Sequence, residues 1–177
     1  MKEILLIGNG PSCLDRECGE LIDSHEIVVR FNNFETESFE KFVGRKTNYW
    51  VKTVMSNKYD KTEFDRKFFT YPSVVTPNSQ KINELTEDGY TIIPVSFYNK
   101  INKLINKNNT WATTGLVMIF YFIEEGYTVK IHGFDFFKKG MHYYEDGSVM
   151  KGHAPNIEES LVNELIRDGK VKLLING

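Results

Sequence analysis

Two histidines in polar, loop-like sequence are the side chains of this chain best suited to move protons. His142 lies in the run His142-Tyr143-Tyr144-Glu145, His153 follows eleven residues later, and Glu158 stands five residues beyond it at the start of a helical pattern. Histidine ionises near neutral pH, so either ring suits general acid or general base work. Taken singly, each also reads as an ordinary surface histidine. His132, inside the run Val129-Lys130-Ile131-His132-Gly133, and His25, just before another apolar run, are assigned to structure.

Three further segments have residues suited to holding an anion or a polyol. Gly8-Asn9-Gly10-Pro11-Ser12 follows a first apolar run and precedes a helical one. Glycines there let the backbone approach a phosphate, and a following helix offers free N–H groups; the same residues also make a tight strand-to-helix turn with no ligand. Asn32, in Arg30-Phe31-Asn32-Asn33, ends the next run, and together with Asn9 it supplies two uncharged amides for sugar hydroxyls or phosphate oxygens. Thr113-Thr114-Gly115 opens a long apolar helix, either as a simple threonine cap or as an anion site at the helix start.

Absences narrow the chemistry. Cys13 stands where a dinucleotide fingerprint has its third glycine, and the second run ends in Arg30 rather than an acidic ribose clamp. No Gly-Lys-Ser/Thr follows the first turn, so it is not a P-loop. There is no Asp-x-Asp, the usual metal clamp for a nucleoside-diphosphate sugar. A donor with a single phosphate, bound without metal or other cofactor, suits these residues better.

The elements that must position these residues alternate. Apolar, β-branched runs predict strands at Ile4–Gly8, Glu26–Phe31, Tyr49–Thr53, Lys67–Tyr71, Thr91–Val95, Thr128–Gly133 and Lys170–Ile175. Helical patterns fall at Asp15–Ile22, Ser79–Asp88, Tyr98–Asn106, Gly115–Glu125 and Ile157–Asp168, the last with Asn156 and Glu159 as a capping pair. The expected fold is α/β: one Rossmann-like domain over residues 1–177, with a mostly parallel sheet flanked by helices. The helix from Gly115 has no polar face and belongs against the centre of the sheet. The stretches Asn57 to Lys67 and Lys100 to Asn109 read as solvated surface. The irregular segment Asp135 to Gly152 holds His142, and loops after strand ends are where α/β proteins keep their ligand chemistry.

Composition sets the outer limits. The chain has 177 residues and a net charge of -2, which gives no basic field for nucleic acid. No apolar run is long enough to span a bilayer, and the first run begins too early for a signal peptide, so a cytoplasmic protein is expected. Cys13 and Cys18 are the only cysteines, five residues apart, and are expected to be reduced and structural.

Taken together, the segments resemble the motifs of the sialyltransferases of glycosyltransferase family 29. The long motif is similar to Ile7 through Ser12, Ile22-Asp23, Val29-Arg30-Phe31-Asn32 and Val43-Gly44-Arg45-Lys46-Thr47. The short motif is similar to Thr113-Thr114-Gly115-Leu116 running to Ile131-His132-Gly133-Phe134, the third to His142 through Glu145, and the last, H-x-x-x-x-E, to His153 and Glu158. The resemblance implies a GT-A variant, a CMP-activated sialic acid or related nonulosonic acid as donor, a glycan or glycolipid acceptor, inversion at the anomeric carbon, and no metal. It implies donor contacts from Asn9, Gly10, Ser12, Asn32, Thr113, Thr114, Gly115, Gly133, Phe134 and Tyr143. His142 would face the donor phosphate and His153 would be the base. Glu158 would support the His153 loop, orient its ring, or serve its own helix.

The sequence departs from the Golgi members. It shows no membrane anchor or stem, though peripheral membrane contact stays open. The short motif lacks the cysteine that pairs with the long motif, and little chain is left for an acceptor lid. These departures suggest a bacterial or viral relative. Transfer of another CMP-sugar such as Kdo, a family 42 sialyltransferase, and a non-catalytic nucleotide-binding module are the alternatives; a nicotinamide-dependent dehydrogenase fits least.

Overall fold

The computed structural model describes residues 2–72, 77–145 and 152–175. All seven expected strands form: β1 Glu3–Ile7, β2 Val28–Phe31, β3 Tyr49–Lys52, β4 Arg66–Phe69, β5 Tyr90–Ile92, β6 Thr128–His132 and β7 Val171–Leu173. They make one sheet in the order β5-β4-β3-β2-β1-β6-β7, with every pair parallel. Strands covered on both faces are mostly apolar, which is why β1 is apolar from Ile4 to Ile7 and only the buried Arg30 interrupts the apolar run of β2. Chain order reverses between β1 and β6, and such a switch point leaves a crevice at the carboxyl ends of the strands.

Helices cover both faces. On one lie α4 (Val95–Ile105), α5 (Thr114–Glu124) and α6 (Pro155–Arg167), packed on Ile4, Leu6, Val29, Val129 and Ile131. On the other lie α1 (Gly19–Asp23) and α2 (Glu40–Val43), whose Ile22 and Val43 meet Leu5, Ile7 and Val28. Leu85 of α3 (Ser79–Glu87) packs with Trp50, Phe69 and Tyr90 further along the sheet. As its composition requires, α5 is the buried helix: Leu116, Val117, Met118, Ile119 and Phe122 are all buried, and it lies on β1 and β6.

Several boundaries differ from expectation for local reasons. The first expected helix, Asp15–Ile22, is helical only from Gly19, as the short α1, and a 3-10 turn at Pro11–Leu14 precedes it. The helix α6 is capped at Ala154 rather than Asn156, because Pro155 occupies its first turn, where a missing N–H costs nothing. The Asn57 to Lys67 stretch is more than solvated surface. Tyr59 and Phe64 pack on Trp50, and Asp60 accepts from the buried Lys52. No helix among the described residues is long and apolar enough to cross a membrane. Cys13 and Cys18 are both buried free thiols.

Where β1 and β6 end, the backbones touch. A Cβ at Gly8 would lie 2.3 Å from the Gly133 carbonyl oxygen, and one at Gly133, whose φ is +71°, would lie 2.1 Å from the Cys13 sulfur. Gly133→Ala is therefore expected to destabilise the fold by about 2–4 kcal/mol, overpacking added to a left-handed backbone. Gly169→Ala, at the same φ with nothing within 4 Å of the new Cβ, should lose only the backbone part, about 1 kcal/mol. Urea unfolding of the two variants measures the difference.

Candidate active site

The turn after β1 is fastened to the end of β6. Gly8 N–H donates to the His132 carbonyl at 2.7 Å and Gly10 N–H to the Gly133 carbonyl at 3.0 Å. Asp135 then supplies the anion that this turn invites: Oδ2 accepts the Ser12 N–H at 2.7 Å and Oδ1 accepts the Ser12 hydroxyl. The N–H groups of Gly10 and Ser12, expected to meet a donor phosphate, are thus engaged by the protein itself. The Cys13 thiol below is pushed up to about 12 by burial, reinforced by the nearby Asp135, which makes it an inert core group.

The two amides meet at the neighbouring strand ends. Asn9 Nδ2 donates to the Phe31 carbonyl at 3.1 Å, one residue before Asn32. Asn32 adopts φ 52°, a conformation asparagine tolerates, and its Oδ1 accepts the Thr53 N–H at 3.1 Å. Each amide uses one end to hold the sheet edge together.

The segment carrying His142 is tied to this edge. Tyr143 N–H donates to the Asn9 carbonyl at 2.9 Å, the Tyr143 hydroxyl donates to the Glu35 carbonyl, and the Tyr144 hydroxyl donates to the Asn33 carbonyl. Tyr143 is buried against Phe39, so it holds the loop where a donor contact was expected. The His142 ring stacks on Tyr144 with centroids 5.1 Å apart, and its Nδ1 bonds the Glu145 carboxylate. An ionised carboxylate only accepts, so Nδ1 carries a proton there, and Nε2 can donate to an anion when the ring is doubly protonated.

His153 is set differently. Its Nδ1 lies 2.8 Å from the Trp111 carbonyl oxygen, and its ring stacks on Phe137 with centroids 5.6 Å apart. A carbonyl only accepts, so Nδ1 is the N–H and the neutral ring presents an unprotonated Nε2. That is the tautomer of a general base.

Glu158 does not touch His153. Only 1% exposed, it accepts the Thr113 N–H at Oε1 (2.9 Å) and pairs with the Thr113 hydroxyl at Oε2 (2.6 Å). Thr113 in turn caps α5, its Oγ1 accepting the Leu116 N–H at 3.2 Å. Burial pushes the Glu158 carboxyl up to about 7, although the hydrogen bonds from Thr113 pull the other way. Gly115, two residues after Thr113, leaves room for Phe134: a Cβ there would lie 2.7 Å from that ring. Phe134 also meets Phe31 edge-on at 6.1 Å, so it is the wedge between the start of α5 and β2. A cleft of about 500 Å³ opens beside Gly133 and Phe134, between the Ser12–Arg16 turn and α6, and neither His142 nor His153 lines it.

With this arrangement in view, the likeness to known proteins is informative. The profile of glycosyltransferase family 29 (sialyltransferase) matches residues 2–86. Just under half of the chain is thus similar to this family. A mouse CMP-N-acetylneuraminate-β-galactosamide-α-2,3-sialyltransferase is 22% identical over 98% of this chain and 64% of its own length. A β-1,6-galactosyltransferase of Arabidopsis thaliana is 56% identical over 43 residues, which cover 24% of this chain and 11% of that protein. The chain thus spans less than two thirds of the length of these relatives. A mammalian sialyltransferase, solved in complex with Gal-β-1-3GalNAc-ortho-nitrophenol, superposes with a TM-score of 0.73 at 18% identity, over 97% of this chain and 68% of that one. The fold is shared with that protein.

Against the family pattern, the long motif is an interlocked unit. Arg30, 1% exposed, donates to the Val43 and Lys46 carbonyls and the Thr47 hydroxyl, while Asp23 accepts the N–H groups of Arg45 and Lys46. Asp135, Trp111 and Asn102 are the residues that sequence reasoning missed. Asp135 follows β6 with no local pattern to mark it, and Asn102, whose Oδ1 accepts the Ala112 N–H at 2.8 Å, lies in a stretch expected to be surface.

The buried Glu158 makes a pH-dependent contribution with a definite sign. Its folded pKa lies above the ordinary 4.5, so the contribution is complete below pH 4.5 and is lost as the pH rises to and past about 7. Glu158→Gln, which keeps the shape and has no proton to lose, should remove this slope. The wild type is expected to lose roughly 3 kcal/mol more than the variant between about pH 4 and pH 8. Urea unfolding of both proteins across that range tests it, and parallel curves contradict the assignment.

Proposed function

We propose that the chain transfers sialic acid, or a related nonulosonic acid, from a CMP-activated donor to a glycan hydroxyl, with inversion and without metal. The observation that carries this reading is the hydrogen bond between His153 Nδ1 and the Trp111 carbonyl. It leaves Nε2 as the proton acceptor for the attacking hydroxyl. As the bond from the anomeric carbon to the phosphate breaks, charge gathers on the departing CMP. His142, backed by Glu145, is the group to answer it from Nε2. The donor is held by Asn9 through Oδ1 and Asn32 through Nδ2, the ends of each amide not used to hold the strands, together with the Thr113–Gly115 helix start and the Gly133–Phe134 edge. The absence of an Asp-x-Asp clamp in the sequence supports a singly phosphorylated donor. A cytoplasmic setting belongs to the same proposal, supported by the unpaired Cys13 and Cys18.

A second donor sugar has its own support, because one protein similar over 43 residues is named a galactosyltransferase. A screen of CMP-sialic acid, CMP-Kdo and UDP-galactose, scored by nucleotide release with and without acceptor, decides between them. Nucleotide binding with no turnover of any donor would favour a non-catalytic module. His153→Ala is expected to lower turnover by roughly 10²–10⁴-fold with CMP affinity kept. His142→Ala should impair both turnover and donor binding. Asn32→Ala should weaken CMP binding by about 1–3 kcal/mol, read by calorimetry. Transfer should survive EDTA; loss with EDTA and recovery with magnesium or manganese would refute the metal-free reading.

A further inference from the structure

The segment Trp111–Thr113, between α4 and α5, has no secondary structure of its own, yet its polar groups are held one after another. Trp111 N–H donates to the Gly152 carbonyl at 2.7 Å, and the Trp111 carbonyl accepts from His153 Nδ1 at 2.8 Å. Ala112 N–H donates to Asn102 Oδ1 at 2.8 Å, and the Ala112 carbonyl accepts the Tyr98 hydroxyl at 2.6 Å. Thr113 N–H and its hydroxyl both go to Glu158. The partners come from the chain just before α6 and from α6 itself (Gly152, His153, Glu158) and from α4 (Asn102, Tyr98). The strap therefore joins the His153 ring at one end to the cap of α5 at the other. A Cβ at Gly152 would lie 2.8 Å from the Trp111 ring, so the two chains lie in close contact there.

This arrangement explains the spacing between His153 and Glu158. The carboxylate grips the strap two residues along from the carbonyl that orients the imidazole. A shift of the strap by one peptide would withdraw the Trp111 carbonyl from Nδ1 and leave the ring free to exchange tautomers. We propose that Glu158, Tyr98 and Asn102 are positioning residues that act through the Trp111–Thr113 strap. They fix which nitrogen of His153 carries the proton and where the ring stands relative to the start of α5. The transfer part of the test rests on the reading of His153 as proton acceptor; the tautomer part does not.

The imidazole nitrogens of ¹⁵N-labelled protein report the tautomer directly. At about pH 8, where free imidazole is neutral, the His153 signals, assigned by their loss in His153→Gln, should show the Nδ1–H form. In Glu158→Ala and Asn102→Ala the Nε2–H form should become substantially populated, whereas Glu158→Gln, which can bond Thr113 at both points, should restore the wild-type pattern. An unchanged Nδ1–H form in both folded alanine variants overturns the proposal. If Glu158→Ala does not fold, Tyr98→Phe removes one hydrogen bond and no core volume, and the same expectation applies to it.

In transfer, Glu158→Ala should lower kcat by roughly 10²-fold, the scale of a small misplacement of a reacting group. In a His153→Ala background the same change should alter kcat by less than about twofold, since groups acting as a unit are non-additive. Equal losses in both backgrounds overturn the coupling. Full transfer by His153→Ala would instead sink the base assignment and leave the tautomer result to decide the positioning role.

Discussion

The carboxyl ends of β1 and β6 lie so close that no side chain fits between them, and the arrangement of the site depends on that contact. Gly8 and Gly133 meet backbone to backbone, Gly10 is bonded to Gly133, and Cys13 fills the hollow beneath. The contact places Asn9 at the edge of the crevice, where it reaches β2 through Phe31 and the His142 loop through Tyr143. It also places Phe134 where its ring can lie over Gly115 at the start of α5. A bulkier residue at either glycine would push apart both sides of the candidate site.

Several charged residues serve this architecture through hydrogen bonds to backbone. Asp23 binds two backbone N–H groups of the α2–β3 connection, and Arg30 binds the carbonyls of the same connection from inside the protein. Asp135 closes the first turn, and Glu158 closes the start of α5. Of the four, Arg30 and Glu158 are buried, where a polar group is costly unless hydrogen-bonded, and both direct hydrogen bonds to backbone groups outside the strands.

The two histidines illustrate how a fold differentiates identical side chains. One is backed by a carboxylate and the other by a carbonyl. A carboxylate partner suits a ring that must donate to an anion, and a carbonyl partner suits a neutral ring that must accept a proton. The assignment of base and phosphate partner in the proposed reaction rests on that difference.

Much of this protein was legible in its sequence. Parallel strands covered on both faces produce apolar, β-branched runs between turn residues, so all seven strands and the buried character of α5 followed from periodicity alone. The order of the motifs carried the resemblance to family 29, and the glycines at 8 and 10 pointed to a close backbone approach, read there as one to a phosphate. What the sequence did not contain was the partner of each polar group. Asp135 meets Ser12 across 123 residues, and Glu158 meets Thr113 across 45. Helix and strand patterns are local, whereas these pairings follow from which strands become neighbours and in what register. Gly10 and Ser12 read as a phosphate turn or a plain tight turn, and the β1–β6 pairing delivers Asp135 to it; Glu158 read as a support for the His153 loop or ring or for its own helix, and the packing of α6 carries it to Thr113. The residue types set which chemistry was available; the long-range pairing decided which groups were left to perform it.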